Sequence, residues 1–114
     1  MEDRRALRRR HLYYYSRVFD ETTQQMAGRL VDLTTEGIMV VSEKPVNTNT
    51  KFKFKMLLPK SIDGHKTLNV EAESRWSKRA TNPDLYDNGF QLLNVKPDDE
   101  MIIHKLIQTS TFNY

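Results

Sequence analysis

Residues 51–58 (KFKFKMLL) alternate lysine with phenylalanine over their first five positions. That is the period of a strand with one buried face, and it points Phe52 and Phe54 inward. Pro59 is expected to end this strand, and Asp63-Gly64 is a turn signal. A second period-two run follows, in which Leu68, Val70, Ala72 and Ser74 alternate with Asn69, Glu71, Glu73 and Arg75 before Trp76. The remaining apolar stretches are less regular. Residues 12–19 (LYYYSRVF) are aromatic and β-branched, and residues 20–25 are a polar turn. Residues 27–33 make a second strand, so the first two are expected to form a hairpin. Residues 37–42 (GIMVVS) are a short apolar strand, residues 45–50 a loop, residues 77–87 a polar loop containing Asn82-Pro83, and residues 88–95 (NGFQLLNV) the last strand. Six strands at short spacing, with no helix between them, imply an antiparallel barrel or sandwich.

The tail has a different period. Pro97 suits the first turn of a helix, and Asp98, Asp99 and Glu100 suit its positive end. Ile102, Ile103, Leu106 and Ile107 recur at helical spacing. A helix over residues 97–110 is therefore expected to lie against the barrel and cover its open end.

Composition narrows the function classes. The 114 residues contain no cysteine, which excludes a disulfide scaffold, thiolate zinc and a cysteine nucleophile. The net charge is +3, and its placement matters more than its size. Residues 1–10 hold five arginines against Glu2 and Asp3, while the other 104 residues carry 13 basic and 13 acidic groups. A duplex binder spreads basic residues over a face of its fold, whereas here only a short N-terminal arm seeks anions. Tyr13, Tyr14 and Tyr15 keep open a single-strand binder that stacks bases, but the barrel shows no basic groove, and no DNA or RNA partner is expected. No stretch approaches the length of a membrane span, and the arginine-rich start does not read as a secretory signal. A cytoplasmic location is the expectation.

The histidines His11, His65 and His104 lie far apart and show no metal-ligand spacing, so no metal is expected. No nucleophile is paired with a base, and neither a P-loop nor a GxGxxG is present; nothing points to an enzyme. Two segments stand out. In residues 2–10 (EDRRALRRR), Arg4 and Arg8, like Arg5 and Arg9, are four apart, and guanidinium forks grip phosphates bidentately and stack on bases. In residues 32–37 (DLTTEG), Asp32 offers a carboxylate, Thr34 a hydroxyl, and Gly37 a backbone free to take a positive φ. This segment reads either as a turn that satisfies its own amides or as a ligand contact. In the second case the carboxylate accepts from a purine N–H edge while hydroxyl and amides face a phosphate.

Taken together, RxxxR followed some twenty residues later by [D/N]xSxxG resembles the signature of the PilZ domain, a bacterial receptor for cyclic di-GMP. Val70 to Trp76 resembles the family's strand ending in Trp, Gly89-Phe90-Gln91-Leu92 its glycine–aromatic strand, and residues 97–110 its terminal helix. The resemblance implies a six-stranded antiparallel β-barrel (residues 12–114) with a C-terminal α-helix and a flexible basic arm (residues 1–11). It also implies a non-enzymatic receptor or adaptor without a cofactor, whose ligand is cyclic di-GMP and whose output passes to a protein partner. On this reading Arg5 and Arg9 clamp the ligand, with Arg4 and Arg8 as neighbours or as the alternative register. Asp32 and Thr34 contact it from the barrel, Gly37 shapes the turn, and Trp76 is a stacking or packing wall. Thr34 stands where the family has Ser, and its extra methyl stiffens χ1. A barrel that has lost nucleotide binding and serves only protein interaction is the alternative.

Overall fold

The expected strands are present in the computed structural model, which describes residues 16–112. They are β1 (Arg17–Asp20), β2 (Met26–Leu33), β3 (Gly37–Ser42), β4 (Lys51–Ile62), β5 (His65–Arg79) and β6 (Tyr86–Leu93), followed by the helix α1 (Pro97–Phe112). Residues 12–15 of the expected first strand, and the whole of the arm 1–11, lie outside the described residues. All pairings are antiparallel, and the order β1-β2-β3-β6-β5-β4 closes on itself because β1 pairs with both β2 and β4. Of the two architectures that the strand spacing allowed, the structure is the barrel.

Alternation places the core. Phe54, Met56, Leu68, Val70 and Ala72 are buried, and Phe52 packs partly buried against them. Phe52 and Phe54 stack at 5.3 Å, and Phe90 of β6 meets both edge-on, at 5.8 and 5.0 Å. Such pairs contribute about 0.5–1.5 kcal/mol each beyond the area they bury. On the outer face the β4 lysines oppose β5 acids: Lys51 lies across from Glu73 and Lys53 from Glu71. The helix lies against the barrel at β4 and β5, with Ile102, Ile103 and Leu106 joining the same core. Lys105 reaches Asp63 at 2.8 Å and ties α1 to the β4–β5 turn, but both side chains are about half exposed, so the pair contributes little.

Three boundaries differ from the sequence expectation. Pro59 does not end β4, which runs on to Ile62. The regular register is interrupted between Leu57 and Ile62, so a residue without an N–H is tolerated there. The hairpin then turns through Asp63 and Gly64, both at positive φ (53° and 82°), as an Asp-Gly turn requires. The polar loop expected over residues 77–87 is shorter, because Ser77, Lys78 and Arg79 still pair with Asn88, Asp87 and Tyr86. The helix continues two residues past the expected end, to Phe112.

The barrel also encloses polar groups. Asn88 is wholly buried; its Nδ2 donates to the Val40 carbonyl at 2.9 Å and to Ser42 Oγ at 2.8 Å, while Ser77 Oγ donates to its Oδ1 at 2.7 Å. Ser74, equally buried, accepts from the Thr50 amide at 3.0 Å and donates to the Asn47 carbonyl, pinning the loop between β3 and β4. Removing one partner of such a set leaves others unsatisfied in a dry interior. Asn88→Ala is therefore expected to lower stability by about 2–3 kcal/mol in urea denaturation, and a loss under about 0.5 kcal/mol would show that the network is not needed.

Candidate functional site

β2 leaves the barrel after Asp32 and Leu33 and turns back into β3 within residues 34–36. Thr34 closes this turn. Its amide donates to the Gly37 carbonyl at 2.9 Å, and its hydroxyl accepts from the amides of Gly37 (3.0 Å) and Glu36 (3.2 Å) while donating to the Gly37 carbonyl at 3.3 Å. One donor and two acceptor positions are thus all used within the turn. Asp32 Oδ1 accepts from the Leu33 amide at 2.9 Å. The Leu92 amide donates to the Glu36 carbonyl at 2.8 Å and holds the turn against β6.

Gly37 does not have the positive φ expected of it; among the glycines that conformation belongs to Gly28 and Gly64. What position 37 requires is space. A Cβ there would lie 2.8 Å from the Phe90 carbonyl oxygen, so any side chain would push β3 away from β6. Because the Phe90 ring packs in the core, the turn is seated on the core's own backbone.

Strict alternation along β5 would send Trp76 inward with Ser74. A bulge between Ser74 and Trp76 prevents this: Ser74 pairs with Phe90 and Trp76 with the next residue, Gly89, leaving Arg75 as the extra residue. Arg75 and Trp76 therefore both face outward. The indole lies on Gly89, where a Cβ would be only 2.3 Å from ring atoms Cε2 and Nε1. It remains 39% exposed, and Lys78 Nζ sits 5.4 Å from its centroid. Arg75 Nη2 donates to Gln91 Oε1 and lies 3.6 Å from Glu73.

These pieces enclose one shallow concavity of about 420 Å³ on the barrel wall, lined among others by Asp32, Thr34, Gly37, Arg75, Trp76 and Gln91. Four positions singled out in the sequence, Asp32, Thr34, Gly37 and Trp76, thus come together across β2, β3, β6 and β5. Arg4, Arg5, Arg8 and Arg9 lie outside the described residues. Arg75, Gly89 and Gln91 were not singled out as site residues. The proximity of Gly89 to Trp76 was already present in the chain as a small residue in one strand and a large ring in another, but only the register joins them. Among the described residues no group of three or more His, Asp or Glu is arranged to hold a metal ion, and no helix is long and apolar enough to cross a membrane.

The chain is thus a small closed antiparallel barrel with one terminal helix and a shallow concavity on its wall. The family model for the PilZ domain matches residues 2–109, and the chain belongs to that family. PilZ domains are ligand-binding receptor or adaptor domains, not enzymes. Among solved structures, the Bacillus subtilis inhibitor of motility (MotI/DgrA) superposes with a TM-score of 0.71 at 13% identity, over 86% of this chain and 47% of that one. The chain thus spans about half the length of that protein. The PilZ domain of YcgR from Escherichia coli, solved with c-di-GMP, superposes with a TM-score of 0.62 at 14% identity, over 87% of this chain and 82% of that one. No curated protein matches the chain.

The Gly89–Trp76 contact leads to a direct test, since Trp76 is the sole tryptophan. Gly89→Ala is expected to lift the indole, shift its emission to longer wavelength and cost about 1–3 kcal/mol of stability through overpacking. Unchanged emission would mean that the ring does not rest on Gly89.

Proposed function

We propose that this protein is a cyclic di-GMP receptor whose arginine segment, residues 1–11, closes over a ligand seated on the barrel wall and so presents an altered surface to a protein partner. The observation that carries this reading is the joining of Asp32, the Thr34 turn and Trp76 in one concavity, in a PilZ-family chain that begins with the RxxxR pattern. Asp32 accepts from a guanine N–H edge, and Trp76 offers a ring face for a base to stack on.

Electrostatics make the arm necessary. The lining of the concavity includes two carboxylates, Asp32 and Glu36, and one guanidinium, Arg75. Such a wall does not attract a dianion unaided, so the phosphates need cations from elsewhere. Arg5 and Arg9, with Arg4 and Arg8 as neighbours or alternative register, supply them. Fixing each residue of the segment costs roughly 1–2 kcal/mol, against about 1.5–3 kcal/mol for each hydrogen bond to a charged group. Several arginines must therefore engage at once, which makes closure all-or-none and suits a switch. The Thr34 hydroxyl is already committed to its turn. It holds the turn in shape and reaches a phosphate only by releasing the 3.3 Å bond to the Gly37 carbonyl. That commitment favours the second reading, a PilZ barrel kept for protein interaction alone.

Calorimetry separates the two. The intact chain is expected to bind cyclic di-GMP near a micromolar dissociation constant, about −8 kcal/mol. Arg5→Ala, Arg9→Ala and Asp32→Ala should each weaken binding by about tenfold or more, equivalent to about 1.4 kcal/mol. Absence of binding by the intact chain rejects the receptor and leaves the interaction module.

A further inference from the structure

We infer that Arg75 reads guanine from the barrel side, its guanidinium fork pairing with the O6 and N7 acceptors of the base that stacks on Trp76. The inference rests on the cyclic di-GMP reading above and extends it from binding to base selectivity.

The bulge is the first ground. An extra residue at position 75 sets two consecutive side chains, Arg75 and Trp76, on the outer face of β5, where unbroken alternation would allow only one. A base lying on the indole therefore has a guanidinium at its edge. The second ground is that this guanidinium is held. Gln91 and Glu73 face each other across β6 and β5. Arg75 Nη2 leans on both, donating to Gln91 Oε1 and lying 3.6 Å from Glu73. Gln91 takes one Nη2 hydrogen and Glu73, at 3.6 Å, lies beyond hydrogen-bond distance, so Nη1 and the second Nη2 hydrogen remain for an end-on, two-bond contact.

The chemistry of the edge selects the base. Guanine presents two acceptors, O6 and N7, to such a fork, whereas adenine presents a donor, its N6 amino group, in place of O6. Arginine has donors only, so adenine leaves one of them facing another donor. Asp32 lines the same concavity from β2, three strand spacings or roughly 14 Å across the sheet from β5. One wall thus meets a molecule with two guanines by opposite means, taking hydrogen bonds from one base at Asp32 and giving them to the other at Arg75.

The test compares cyclic di-GMP with 3′,3′-cyclic GMP–AMP and cyclic di-AMP by calorimetry on the full chain and on Arg75→Ala, Arg75→Lys and Gln91→Ala. Arg75 is exposed, and far-UV circular dichroism confirms that each variant folds. The ratio of dissociation constants, cyclic di-AMP over cyclic di-GMP, should exceed one in the intact chain and fall about tenfold in Arg75→Ala. Arg75→Lys should lose that ratio too while keeping more of the affinity, because it retains charge without the planar fork. Gln91→Ala should fall between. A ratio that is unchanged in Arg75→Ala overturns the inference, and so does an equal loss for all three ligands, which marks a phosphate contact. If the intact chain binds cyclic di-GMP and the ratio persists, only this inference fails; if it binds none, the receptor reading fails first.

Discussion

In a closed β-barrel the face that a side chain occupies is decided by its parity along the strand. Interior and exterior alternate without exception as long as the ladder is regular, since a one-residue slip exchanges the two. The barrel obeys this over most of β4 and β5, where Phe54 and Met56 meet Val70 and Leu68 inside. It breaks the rule between Ser74 and Trp76. Below the bulge the strand builds core, and above it the same chain builds the wall of a site. Were β5 regular, the indole would have to enter an interior already filled by Phe52, Phe54 and Phe90.

Two close backbone approaches couple the site to that interior. Gly37 lies so near the Phe90 carbonyl, and Gly89 so near the Trp76 ring, that neither position tolerates a Cβ without movement. Phe90 is therefore at once a core ring and the floor of the motif turn, and its neighbour Gly89 is the seat of the exposed indole. A rigid, close-packed core transmits its position to whatever rests on it. The concavity is in that sense preformed; its lining includes two carboxylates and one guanidinium, and the positive surplus of the chain sits in residues 1–10.

Much of this could be read along the chain. The Lys–Phe run, the Asp-Gly turn and the isoleucine–leucine stripe of the tail are local signals, each set by residues a few positions apart. They yielded strands, hairpin and helix in the right order, and the DLTTEG turn came with its carboxylate and hydroxyl. The misjudgements arose where a distant partner decides. Pro59 reads as a strand end unless the register lapses opposite it, and residues 77–79 read as loop because their pairing partners, Asn88, Asp87 and Tyr86, lie across a turn. Gly37 looked like a conformational glycine; what it meets is the Phe90 carbonyl, more than fifty residues away in the chain.

The sequence by itself determined the alternation of β4 and β5, the helical period of the tail, the succession of six strands and a helix along the chain, the concentration of positive charge in residues 1–10, and the identity of the residues at Asp32, Thr34 and Trp76. Those depend on nearest neighbours and on composition, which a linear chain already contains. Only the tertiary structure decided that Trp76 faces outward, that Arg75 accompanies it with its guanidinium held by Gln91, and that both share one concavity with Asp32. The physical reason is that a bulge is defined by two strands together. Nothing in β5 alone says where its ladder with β6 skips a residue, and that skip sets the face of the residues beyond it.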